Sequence, residues 1–158
     1  MAKTLKPLIE EYLAGAKLMQ MATSRGNRPW IASVWYAHDS KTNLYFISKK
    51  SRRHSKELMK NPRVAGAIVV PHTFGSGQKV RGLQFEGMAE PCSARETVAA
   101  RSLYLKKYPN AEKISLADLL SPLSKSSFYI MRPKAFVLFD EIHYPEQPRQ
   151  EFPAQREK

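Results

Sequence analysis

Two connections of only four and five residues, "RGNR" and "DSKTN", separate three strand-length segments between Leu18 and Ser48. Parallel neighbours need a crossover of about a dozen residues or more, so these consecutive strands must pair antiparallel. "LMQMATS" reads as the first strand, with Gly26 and Asn27 supplying the unusual backbone angles of the turn after it. "WIASVWYAH" alternates between two faces. Trp30, Ala32, Val34 and Tyr36 share one, and Ile31, Ser33, Trp35 and Ala37 share the other. "LYFIS" is the third strand. Its aromatics and those before it, Trp30, Trp35, Tyr36, Tyr45 and Phe46, read mainly as core.

The remaining chain continues in the same style. "LKPLIEEYLAGAKL" places Leu5, Leu8, Ile9, Tyr12 and Leu13 at helical spacing, and Gly15 ends that helix. "RVAGAIVV" is apolar on both faces and reads as a central strand, and "PHTFGSGQK" is a loop. "VRGLQFEGMAEP" is a long strand with Leu83, Phe85 and Ala89 on one side. Ser93 and Glu96 form a capping box at the start of an amphipathic helix. A short helix and loop fill 111–126. "SFYIMR" and "AFVLFDEIHY" read as two last strands divided by Pro133-Lys134. From Pro145 the chain has Phe152 as its one strongly apolar residue and three prolines, which predicts a segment either loose or strapped onto a partner.

The expected fold is β-rich α+β, with six or seven mostly antiparallel strands and about three peripheral helices. A closed or partly closed barrel suits it, because closure removes exposed edges. Residues 1–143 read as a single domain and 144–158 as a Pro-rich polar tail. No repeat or heptad pattern interrupts this reading.

Several functional classes lack their motifs. His38, His54, His72 and His143 have no metal-ligand spacing, and no nucleotide-binding glycine signature is present. Cys92, the only cysteine, can form no internal disulfide and has no evident base beside it. The longest strongly apolar run, Val64–Val70, is far short of the roughly 18 residues that span a bilayer. These features predict a cytoplasmic setting without membrane attachment.

Positive charge is the strongest remaining signal. The 158-residue chain carries a formal net charge of +12, densest in "SKKSRRHSKELMKNP", where six Lys/Arg and one His surround a single Glu. Ser51 is positioned to cap a helix that Asn61-Pro62 stops. Cations in a helix's first turn oppose its dipole, and an anion there reverses the sign. Solvent on a helix face, a nucleic-acid backbone, or the phosphate of a small cofactor each answers this pattern.

The succession "RPWIASVWYAHDSKTNLYFISKKSRRHSKELMKNPRVAGAIV", "VRGLQFEGMAEP" and "YIMRPKAFVLFDE" resembles the pyridoxamine 5′-phosphate oxidase-like flavin proteins with a split β-barrel, over residues 17–142. It is most similar to a small bacterial branch rather than to the oxidase itself. The resemblance implies a flavin mononucleotide (FMN) at a homodimer interface. Ala32, Ser33, Val34 and Trp35 match the strand lying along the flavin, and Ile47 and Ser48 match the end of the next strand, with Ser48 on the phosphate. Arg53 matches a phosphate-binding arginine. His54 stands where the family usually has lysine, and Arg81 is a further candidate anion partner. The implied activity is hydride transfer between a nicotinamide or small organic substrate and FMN. "PEQPRQEFPAQREK" has no counterpart of the oxidase's substrate-binding segment, so efficient oxidation of pyridoxamine phosphate is not expected. Related barrels suggest deazaflavin or haem as alternative ligands, with His143 or His38 as an axial candidate. A basic nucleic-acid-binding module without catalysis is the competing class, and a barrel that has lost its ligand is a third.

Overall fold

Apolar periodicity builds the plug on which the sheet closes. The computed structural model describes residues 4–154, and the last four positions of the C-terminal tail lie outside it. Helix α1 (Leu5–Gly15) buries Leu8, Ile9, Tyr12 and Leu13 against the sheet. Strands β1 (Leu18–Arg25) and β2 (Arg28–Trp35) form a hairpin whose turn residues Gly26 and Asn27 have φ of 54° and 57°. Both angles are left-handed, the backbone that a two-residue hairpin requires and that Gly and Asn adopt most readily.

The other elements are β3 (Ala37–His38), β4 (Leu44–Lys49), α2 (Arg53–Leu58), β5 (Arg63–Val69), β6 (Arg81–Pro91), α3 (Ala94–Lys107), α4 (Leu116–Leu120), β7 (Ser126–Asp140) and β8 (Arg149–Pro153). One antiparallel sheet runs β2-β1-β5-β6-β7-β4-β3, with β8 beside the far half of β7. It curls until β2, at one end of the order, faces β4, next to the other end, without a hydrogen-bonded ladder. That gap is the split of the barrel. Met19, Met21, Phe46, Tyr129, Phe136 and Leu138 fill the interior around α1. A smaller core lies under α3, where Tyr45, Phe128 and Ile130 meet Ala100 and Tyr104.

The expected antiparallel, β-rich split-barrel architecture is the observed one, and several details differ. "SFYIMR" and "AFVLFDE" are one continuous strand, β7. The interruption at Pro133 is absorbed by a bulge opposite Glu86/Gly87, where Gly87 pairs with Pro133 and Glu86 with Ala135. The tail does not hang free over its described length, because Arg149–Pro153 pairs with β7. Helix α2 is capped by Arg52 and not Ser51, since Arg52 N–H closes a turn onto the Lys49 carbonyl at 3.1 Å. The capping box holds: Glu96 N–H donates to Ser93 Oγ, and Ser93 N–H to Glu96 Oε2. No described helix is long and apolar enough to cross a membrane.

Candidate functional site

A cleft of about 600 Å³ opens at the split. One wall is β2, through Trp30, Ile31, Ala32, Ser33, Val34 and Trp35. The opposite wall is the end of β4 and the turn into α2, through Ile47, Ser48, Lys49, Arg52, Arg53 and His54, and Tyr104 of α3 adds an aromatic rim. Eight of the nine sequence-derived candidates therefore line one cavity: Ala32, Ser33, Val34, Trp35, Ile47, Ser48, Arg53 and His54. Arg81 is not brought to it. Strand β6 is separated from β2 by β1 and β5 and from β4 by β7, and its Arg81 pairs in register with Asp140.

β2 is hydrogen-bonded on one side only, so alternate N–H and C=O groups along it face the cleft side unpaired by the sheet. Such an edge offers donors and acceptors to a planar, polar-rimmed ligand. Trp30 and Trp35, read from sequence as core, are 42% and 49% exposed because they stand on this edge. Tyr36, Tyr45 and Phe46 are buried as expected.

The polar corner is built by α2. Ser48 Oγ lies 2.8 Å from His54 Nε2 and accepts a hydrogen bond from Ser55 Oγ at 3.2 Å. Burial, and then the nearby Arg52, push the His54 pKa down, so the ring is neutral near pH 7. With the proton on Nε2, His54 donates to Ser48, and the serine's own proton goes to the Lys49 carbonyl at 3.5 Å, a long contact that an anion in the cleft would outcompete. Arg53 Nε donates to Glu57 Oε1 at 2.8 Å, while Thr23 Oγ1 donates to Glu57 Oε2 at 2.6 Å. The Arg53 guanidinium also lies 4.3 Å from the centre of the Trp30 ring. Anchored through Nε, Arg53 keeps its terminal nitrogens for an anion. Hydrogen bonds from Thr23 and Arg53 hold the Glu57 pKa below its ordinary value, against the effect of desolvation.

Sequence reading missed Trp30, Ile31, Lys49, Arg52 and Tyr104 as cleft residues and Thr23 and Glu57 as supports of the Arg53 corner. The Arg53–Glu57 spacing of one helical turn was a usable signal. Thr23, 34 positions away, gave none.

Elsewhere the candidates thin out. His143 Nδ1 lies 2.7 Å from the buried Asp140, and His38 is half-buried; neither lines the cleft. Burial, helped by Glu96, pushes the Cys92 thiol up to about 12, unsuited to a nucleophile. Among the described residues no group of three or more His, Cys, Asp or Glu could hold a metal ion. A second cavity, about 880 Å³, lies on the outer sheet face over Ala22, Ala65, Ala67 and Ala135, with Ile31 at its rim.

An antiparallel split barrel with a cation-lined cleft at its opening defines the class. Residues 5–129 match the family described as pyridoxamine 5′-phosphate oxidase, and the chain belongs to that family. A UPF0306 protein of Pasteurella multocida is 32% identical over 101 residues, 63% of this chain and 66% of its own length, just under two thirds. A UPF0306 protein of Yersinia pseudotuberculosis is 30% identical over 113 residues, 71% of this chain and 75% of its own. Among solved structures, a heme binding protein from Mycobacterium smegmatis shares the fold with a TM-score of 0.72 at 19% identity, over 92% of this chain and 57% of that one.

Proposed function

We propose that the protein is an FMN-dependent oxidoreductase, acting as a homodimer in the cytoplasm, that moves a hydride between a nicotinamide or small organic substrate and the flavin. The observation that carries this reading is the convergence of Ser48, Arg53, Arg52 and Lys49 on one end of a cleft whose long wall is an unpaired strand edge. The donor set fits the group. A phosphate monoester takes charge-assisted hydrogen bonds from the Arg53 guanidinium and from the Ser48 hydroxyl once it turns from the Lys49 carbonyl, and Arg52 and Lys49 add field. The backbone of 32–35 would meet the polar edge of the ring system, with Trp35 and Tyr104 covering apolar surface. The bound flavin supplies the two-electron chemistry, and the chain supplies position, charge and exclusion of water. His54 does not replace the family's lysine as a charge; its contact holds the Ser48 oxygen in place. The dimer is supported by the apolar residues β2 leaves uncovered, and the cytoplasmic setting by the single, unpaired Cys92.

Haem is the second reading, favoured by the heme-binding fold neighbour. It is weaker here, because His143 and His38 lie outside the cleft and His54 is engaged with Ser48.

The decisive measurement is the visible spectrum of the purified protein, then FMN titration of the wild type and Arg53→Ala. The wild type should be yellow or take up one FMN per chain. Losing a charge-assisted pair should weaken binding by about ten- to a hundredfold in the variant. A colourless protein that refuses saturating FMN, or a variant binding as tightly as wild type, removes the proposal. A Soret shift on haem addition, without flavin uptake, would favour the second reading.

A further inference from the structure

One phosphate monoester is satisfied by two or three donors, yet the split carries far more charge than that. Lys49, Arg52 and Arg53 line the cleft itself. Lys50 N–H donates to the Lys125 carbonyl at 2.9 Å, which sets a second lysine beside the turn. At the other end of α2, Asn61 Nδ2 donates to both Ser24 O and Ser24 Oγ at 3.1 Å. That contact seats the β1–β2 turn, with Arg25 and Arg28, against the helix that carries Lys56 and is followed by Lys60. All these cations are exposed. Among the described residues Arg53 alone of the set makes an ion pair, with Glu57, and that carboxylate is buried. Like charges crowded in this way repel one another, and Glu57, the one acidic side chain of the 48–62 segment, is buried and already hydrogen-bonded to Arg53 and Thr23.

The geometry points to this ridge as the docking surface for the phosphates of a phosphorylated nicotinamide dinucleotide, the form bearing a 2′-phosphate. The inference rests on the FMN reading: a hydride donor must bring its ring into the cleft, against the flavin. Its pyrophosphate and adenosine end must then lie outside, and Lys49 and Arg52 make the cleft wall continuous with the ridge. A 2′-phosphate adds a charge of about −1.5 to −2, the part of the ligand that rewards surplus cations most. A nucleic acid fits the same field less well. Helix α2 has six residues, too short to fill a major groove, and the charges turn into a cavity instead of following a strand backbone.

The test uses the redox-inert oxidised dinucleotides on the FMN-loaded full-length protein, by calorimetry, with and without the 2′-phosphate. The phosphorylated form should bind at least about tenfold more tightly near 0.15 M salt, and its affinity should fall more steeply as salt rises. The double variant Lys50→Glu/Lys56→Glu lies outside the flavin site. It should keep full FMN content and lose about tenfold or more in affinity for the phosphorylated dinucleotide, with a much smaller change for the other. If FMN binds but the two dinucleotides bind alike, or the double variant discriminates as well as wild type, the inference is overturned and the flavin reading stands. A short DNA duplex that displaces the phosphorylated dinucleotide at lower concentration than the dinucleotide's own Kd overturns it too. Failure of FMN itself to bind is a different result and strikes the underlying proposal.

Discussion

Glu57 divides its two carboxylate oxygens between Thr23 and Arg53, and this division is what aims the guanidinium at the cleft. Because its pKa is depressed in the fold, Glu57 contributes stability above the ordinary glutamate value of 4.5, and that contribution is lost as pH falls through the lower folded value. Glu57→Gln should therefore lower Tm at neutral pH, and the gap to wild type should close as pH falls below the ordinary glutamate value of 4.5. A thermal-melt series across that window checks it; a constant gap would mean that the carboxylate's charge is irrelevant. FMN affinity should drop by about three- to tenfold in the same variant, since Arg53 loses its anchor but not its charge. His54→Leu tests the His54–Ser48 contact separately, with a similar loss expected in an FMN titration; because the lowered His54 pKa withdraws stability as pH falls below the ordinary 6.5, the variant should also lose less Tm over that range than wild type. The difference between legible and hidden residues follows from distance along the chain. Arg53 and Glu57 face each other because a helix repeats every 3.6 residues, which any reader of the sequence can apply. Thr23 reaches Glu57 only through the packing of α2 on β1, which no local pattern encodes.

Strands survive features that, read locally, look like breaks. Pro133 removes a backbone donor and reads as a boundary, yet β7 passes through it because the bulge opposite Glu86/Gly87 takes up the irregularity. Gly87 makes this possible. A Cβ there would meet the Arg132 carbonyl oxygen at 2.1 Å, a backbone atom of the paired strand that cannot swing aside. Gly87→Ala should cost about 2 kcal/mol or more, seen as a clear fall in denaturation midpoint. Gly75→Ala, in the open loop after β5 with nothing within 4 Å of the added carbon, should stay within about 0.5 kcal/mol of wild type. Equal effects would remove the bulge from its proposed role. Other elements were legible for the opposite reason, since their signals are local: the turn at Gly26-Asn27, the capping box of α3 and the four apolar contacts of α1. Strand β8 was not legible, because "RQEFP" has no apolar alternation and is held by the sheet edge it meets.

At the scale of the whole molecule, one side chain joins the two cavities. Ile31 lines the cleft at the split and also the larger cavity on the outer sheet face, and it is 64% exposed. Beside it, the outer face presents Ala22, Ala65, Ala67 and Ala135, side chains small enough for another sheet or helix to approach closely. An exposed edge strand bearing Trp30, Ile31 and Trp35 is a pairing hazard unless something covers it. Tyr45, by contrast, needs no partner, because α3 already covers it. A second copy seated on this face would bury Ile31 and border the cleft, so dimer formation and flavin affinity should be coupled. Ile31→Glu puts a charge at the shared rim without touching Ser48, Arg53 or the interior. The variant should keep the wild-type far-UV spectrum and sediment as a monomer at micromolar concentration. Its FMN Kd should rise by about tenfold or more, because one wall of the site is then open to water. A variant that remains dimeric would show that the contact lies elsewhere. A monomer that binds FMN as tightly as wild type would show that each chain completes its own site, and the coupling would be refuted even if the cofactor assignment held.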